Sequence, residues 1–255
     1  MIKAVLFDQD GVIIDTERDG HRVAFNMAFT EHGYDIEWDV ELYHKLLQIG
    51  GGKERIRYYF ENYYEGATPR NIDELIHNLH KTKTEAFLEI LNTLPLRPGI
   101  KRFMKELNEA GILIGICTTS NEKVANTIAN SRLAGIEFSV ILAGDMVSKK
   151  KPDPEIYNTA LKKINITPSE CLVVEDSYIG ISAAKAAGCH VLATYSDYTK
   201  DEDLSQADMI VNCLGDENGE KACFIKSELP LLIEGVITFK DLQLFLSDEL
   251  KTINK

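Results

Sequence analysis

The sequence predicts an α/β fold: a parallel sheet whose first strand is separated from the rest by an inserted helical domain. Two observations carry this. Short apolar runs that read as buried strands recur at 3 to 7, 112 to 117, 139 to 143, 171 to 175, 190 to 195 and 209 to 212, spaced by segments long enough for helices. Between the first and second runs the apolar residues follow a helical period instead.

Alternating strands and helices are the pattern of parallel sheets, whose crossovers need helices on the faces. The first strand, Ala4-Val5-Leu6-Phe7, ends at Asp8. The helical insertion holds segments at 20 to 32, 40 to 48, 54 to 64 and 71 to 91, with Asp39 as an N-cap and Gly33 as a stop. The chain leaves the sheet near Asp15-Thr16 and returns near Leu96-Arg97-Pro98-Gly99, where Pro and Gly break the pattern before a helix at 100 to 110. The organisation expected is therefore a core piece at 1–15, a helical domain at 16–95, the rest of the core at 96–215 and an extension at 216–255. After Asp176, the small residues of Ile181 to Ala187, stopped by Gly188, suit a helix lying close to the sheet. Gly215 to Lys221 reads as a loop, and the amphipathic segment from Leu229 to Leu250 has no readable role.

Composition narrows the partners. A net charge of −12 repels nucleic acid and anionic membrane at long range, so an anionic substrate needs a local cationic pocket. No stretch is apolar enough for a membrane span, and no signal-like segment precedes the first strand, so a cytoplasmic protein is expected. Cys117, Cys171, Cys189, Cys213 and Cys223 are odd in number, have no metal spacing and read as buried free thiols. A monomer is expected.

In a parallel sheet, ligands bind beyond the carboxyl ends of the strands. Asp8-Gln9-Asp10-Gly11 follows the first strand, Thr118-Thr119-Ser120-Asn121 the second, Lys149-Lys150-Lys151-Pro152-Asp153 the third, and Glu175-Asp176 ends the fourth. Each alone has an ordinary explanation: a polar turn, a β-branched strand end, a solvated lysine run and a helix N-terminus. Together they bring carboxylates, a hydroxyl and an ammonium to four strand ends in one order. That set suits phosphoryl transfer.

These motifs, with Asp15-Thr16-Glu17-Arg18-Asp19-Gly20-His21-Arg22 and Gly50-Gly51-Gly52-Lys53-Glu54-Arg55, resemble the haloacid dehalogenase superfamily, in the group of β-phosphoglucomutase and CbbY-type sugar-phosphate phosphatases. The resemblance runs from about residue 3 to 215. It implies a Rossmann-like core with a helical cap, Mg²⁺ as cofactor and a small phosphorylated sugar as partner. Gln9 departs from the group, which usually has an apolar or small residue between the two aspartates.

The resemblance implies a nucleophile at Asp8, forming an aspartyl phosphate, and a general acid-base at Asp10. It implies Mg²⁺ held by Asp8, the Asp10 carbonyl and Asp176, with Glu175 as a further ligand or a partner behind it. Thr118 and the backbone N–H groups after it would bind the phosphoryl oxygens, with Thr119, Ser120 and Asn121 on the substrate. Lys151, directly before the Pro, would neutralise charge on the phosphoryl group and on Asp8. From the cap, Glu17, His21, Lys53 and Arg55 would meet substrate. The activity implied is a phosphatase acting on a sugar phosphate, for instance xylulose 1,5-bisphosphate. A sugar phosphomutase is the alternative within the group, and a non-catalytic sugar-phosphate-binding protein the alternative outside it.

Overall fold

A computed structural model describes residues 1–49, 51–67, 70–120, 122–144, 146–227 and 235–246. The chain forms two compact units, one of residues 1–15 with 95–255 and the other of 16–94.

The first unit is built on a seven-stranded sheet. β1 (Ala4–Phe7) is fully buried, and its Val, Leu and Phe side chains each contribute about 1.5–3 kcal/mol by leaving water. It pairs in parallel with β2 (Leu113–Cys117) on one side and β4 (Cys171–Glu175) on the other, with Phe7 opposite Ile116 and Val174. β3 (Val140–Leu142) lies outside β2, and β5 (His190–Thr194) and β6 (Met209–Val211) follow β4, all in parallel. β7 (Phe224–Ser227) closes the edge antiparallel to β6, giving the order β3-β2-β1-β4-β5-β6-β7. Connections leave β1 for β2 in one direction and reach β4 in the other, so the sheet's switch point lies at the ends of β1 and β4. The α/β class with a parallel sheet is as the sequence predicts. The chain after 215 differs: no strand was expected at 224–227, and the short antiparallel β7 has no period long enough to read.

The second unit is helical. A wide π-helical turn (Glu17–His21) runs into α1 (Arg22–Glu31), followed by α2 (Val40–Leu46), α3 (Gly52–Asn62) and α4 (Ile72–Leu91). Asp39 caps α2 as expected, its carboxylate accepting from the Leu42 N–H at 2.7 Å. The unit's core is aromatic: Trp38 is fully buried, with the Phe25 and Phe29 rings 4.7 and 5.0 Å away. Gly51 has φ +95° and turns the chain into α3, and a Cβ on Gly52 would lie 2.9 Å from the His80 ring. Two of the three glycines are thus explained by a helix entrance; Gly50 lies outside the described residues.

In the first unit, α5 (Ile100–Glu109) precedes β2, α6 (Glu122–Thr127) precedes β3, α7 (Glu155–Ile164) precedes β4, α8 (Tyr178–Ala186) precedes β5, and α9 (Phe239–Leu246) packs on α5. Among the described residues no helix is long and apolar enough to cross a membrane. Cys117, Cys171, Cys189 and Cys213 are buried free thiols, and Cys223 is an exposed one.

Candidate active site

The sheet brings Asp8, Thr118, Lys151, Glu175 and Asp176 to one place, all buried. Asp8 is the first residue past β1, and its N–H donates to the Val174 carbonyl at 2.9 Å, extending the pairing with β4 by one step. The chain then turns: the Gln9 carbonyl accepts from the N–H groups of Ile13 and Ile14, which returns Asp10 toward β2. Gly11 makes this turn possible, because its φ is +86° and a Cβ there would lie 2.0 Å from an Asp176 oxygen.

Lys151 ties three strand ends together. Its Nζ donates to Asp8 Oδ1 at 2.5 Å, to the Cys117 carbonyl at 2.9 Å and to Glu175 Oε1 at 2.7 Å, so all three protons have acceptors. The loop that carries it is clipped to α7, where the Glu155 carboxylate accepts from the N–H groups of Ser148 and Lys149, each at 2.8 Å. Of the three lysines, the one chosen from sequence is the buried one; Lys149 and Lys150 are exposed.

Asp10 Oδ2 is held from the end of β2, accepting from Ser120 Oγ at 2.7 Å and Thr118 Oγ1 at 3.3 Å. Gln9 adds its side-chain amide at 3.5 Å. The departure from the group's pattern therefore lies beside the Asp10 carboxylate and is itself fully buried. Thr119 is exposed, and Asn121 lies outside the described residues.

The electrostatics call for a cation. Burial pushes the Asp8 carboxyl up to about 8, against the opposing pull of Lys151, and Glu175 and Asp10 add like charge. Burial, then Asp8 and Glu175, raise the Asp176 carboxyl well above the carboxylate range. Lys151 stays cationic because Asp8 and Glu175 outweigh its own desolvation. The Lys151 ammonium bonds two carboxylates, Asp8 and Glu175, and oxygens of Asp8, Glu175 and Asp176 lie within 4.8 Å of one another. Hard oxygens gathered this closely, short of positive charge, fit a hard divalent cation.

Two residues at this site went unnamed in the sequence. Tyr157, on the buried face of α7, donates its O–H to Glu175 Oε1 at 2.5 Å. Thr199 donates to Asp176 Oδ2 at 3.4 Å from the turn after β5. An aromatic residue in an apolar helical stripe reads as core, and nothing in the sequence marks its hydroxyl.

In the helical unit, Tyr43 O–H donates to Glu17 Oε2 at 2.6 Å and accepts from Arg55 at 3.0 Å. Arg55 also donates to the Leu46 and Ile49 carbonyls, so its buried guanidinium is occupied within the unit. Lys53, two residues earlier, is exposed. His21 Nδ1 meets Lys83 Nζ at 2.9 Å, and burial followed by Lys83 holds the imidazole well below its usual range, so it is the acceptor. Lys83 is buried between the Phe25 and Phe87 rings, 4.9 and 5.2 Å away. Its signal in the sequence was a lysine in the apolar stripe of Leu79 and Phe87.

A CBBY-like protein of Arabidopsis thaliana is 46% identical over 226 residues, which is 86% of this chain and 71% of that protein. The structure of CbbY from Rhodobacter sphaeroides in complex with phosphate is 37% identical, with a TM-score of 0.72, over 84% of this chain and 95% of that one. A mutant of that CbbY in complex with xylulose 1,5-bisphosphate is 36% identical, with the same TM-score and coverage. The haloacid dehalogenase-like hydrolases match residues 2–188. On these matches the chain belongs to the haloacid dehalogenase-like hydrolase family, as a phosphoric monoester hydrolase.

Proposed function

We propose that the protein is a Mg²⁺-dependent phosphatase that removes phosphate from a small phosphorylated sugar of the xylulose 1,5-bisphosphate kind, by way of a phosphoryl group on Asp8. The observation that carries this reading is the Asp8 carboxylate paired to buried Lys151, with Asp10 held two residues on by the Thr118 and Ser120 hydroxyls. The xylulose bisphosphate bound by a related CbbY supports the substrate class.

Asp8 attacks phosphorus, and Lys151 offsets charge on Asp8 as the bond forms. Asp10 gives a proton to the leaving sugar oxygen and later takes one from the water that releases phosphate, a contribution of roughly 10²–10⁴ in rate. Asp8, Asp176 and the Asp10 carbonyl would hold Mg²⁺, which when bound supplies charge neutralisation to Asp8 and the phosphoryl oxygens. Glu175 stands behind them, its Oε1 already shared by Lys151 and Tyr157. Thr118, Thr119, Ser120 and Asn121 serve the phosphoryl group from the end of β2.

Substrate choice belongs to the helical unit. Lys53 is the better partner for a second phosphate, because it is exposed while Arg55 is spent on backbone carbonyls and Tyr43. Arg55 instead fixes Tyr43, and through it Glu17. His21, neutral beside Lys83, offers a polar contact to the sugar.

The test is a panel of sugar mono- and bisphosphates with and without Mg²⁺. Phosphate release that needs Mg²⁺ and is fastest on a pentulose bisphosphate is the expected outcome. Interconversion of hexose phosphates without phosphate release would make the enzyme a mutase.

A further inference from the structure

Glu175 is held from several sides in this structure, and one of them is a phenol. Its Oε1 accepts from Lys151 Nζ at 2.7 Å and from Tyr157 O–H at 2.5 Å, while Oε2 accepts from the Asp176 N–H at 3.2 Å. From the other side α8 presses on it, since a Cβ on Gly180 would lie 2.0–2.2 Å from all three carboxyl atoms. Lys151, in turn, sits 5.1 Å from the centre of the Tyr157 ring. Tyr157 therefore touches both members of the pair that faces Asp8, one through its hydroxyl and one through its ring.

Each partner of Glu175 has a different alternative. The Asp176 N–H is fixed by the backbone, and Lys151 is fixed by Asp8 and the Cys117 carbonyl. The phenol O–H is the only one of the three whose loss changes no charge and moves no backbone. Without it, Oε1 would keep the Lys151 ammonium as its single donor, and the carboxylate would be freer to leave the lysine for a divalent cation held by the Asp8 and Asp176 oxygens, which lie within 4.8 Å of its own.

We propose that Tyr157 is a positioning residue: its O–H holds the Glu175 carboxylate on Lys151, so that the lysine stays against Asp8 and the carboxylate stays off the metal. The inference rests on the phosphatase reading for its kinetic consequence and on the geometry alone for its metal-binding one. Tyr157→Phe keeps the ring and its contact with Lys151 and removes only the hydroxyl. Partners that orient a metal site from behind are worth about 10–100-fold in activity or affinity. The variant should therefore lose about tenfold in kcat with KM changed less than twofold. It should also bind Mg²⁺ more tightly by calorimetry, because a released Glu175 carboxylate adds a charged oxygen to those of Asp8 and Asp176.

The decisive comparison adds Glu175→Gln. If Tyr157 acts through Glu175, Tyr157→Phe has no further effect on kcat or on Mg²⁺ binding once Glu175 is an amide. Equal losses in both backgrounds would overturn the proposal and make Tyr157 a packing residue, as would a Tyr157→Phe protein indistinguishable from wild type. Should Glu175→Gln not fold, the single variant still decides, through Mg²⁺ affinity: tighter binding supports the proposal, and unchanged or weaker binding overturns it. Absence of hydrolysis in the wild type would refute the phosphatase reading and leave the Mg²⁺ titration to judge Tyr157.

Discussion

Gly11 shows how little room the site leaves at the scale of one residue. It sits between Asp10 and the turn back toward the second unit, with a positive φ and an Asp176 oxygen where a Cβ would go. Gly11→Ala combines a strained backbone, about 1–3 kcal/mol, with displacement of Asp176. The expected result is a soluble protein with a lower melting temperature and a raised Mg²⁺ requirement, read from activity against Mg²⁺ concentration. An unchanged Mg²⁺ dependence would separate Asp176 from the metal. Asp8, Asp10, Thr118 and Asp176 were legible because each stands at or just past a strand end, where sequence order and spatial position coincide, and Lys151 because it directly precedes a Pro in the loop after the third run. Tyr157 and Tyr43 were not, because each occupies a position that burial alone explains and acts through a partner distant in sequence. Arg55 was legible as a charge but not as a buried one: two of its acceptors are carbonyls, and carbonyls carry no signature in sequence.

Between elements, the strands were easier to read than their edges. β1, β2, β4 and β5 are buried on both faces and give continuous apolar runs, whereas β7 is a four-residue edge strand with exposed Ile225 and no run to find. The helical unit was legible by period, and its internal electrostatics give it a distinct pH response. Burial, then Lys83 and Lys53, hold His80 on α4 down to about 4. Its folded pKa lies below the ordinary 6.5, so the unfolded chain takes up the proton first. The stability it contributes is present above pH 6.5 and is lost as pH falls through about 4. His80→Gln should therefore flatten the fall in melting temperature over that window relative to wild type. Parallel curves for the two proteins would remove His80 from the acid response.

The whole molecule is acidic, with a net charge of −12, yet it is read as acting on an anion. The fold reconciles the two by gathering its useful cation at the switch point of the sheet, where Lys151 is buried against two carboxylates and a carbonyl. The carboxylates that surround it leave a place for a divalent cation, and the charge on Asp8 depends on that balance. In the proposed mechanism Asp8 is the group that carries the phosphoryl. The most direct test traps the phosphoryl group there: Asp10→Asn protein is mixed with Mg²⁺ and an activated phosphate ester, quenched in acid and mapped by peptide mass spectrometry. Asp10→Asn is chosen because it slows release of the phosphoryl group while a good leaving group needs little protonation. One phosphoryl group is expected on the peptide carrying Asp8, absent without Mg²⁺ and absent in Asp8→Asn. Turnover that survives in Asp8→Asn, or a phosphoryl group on any other residue, would contradict it.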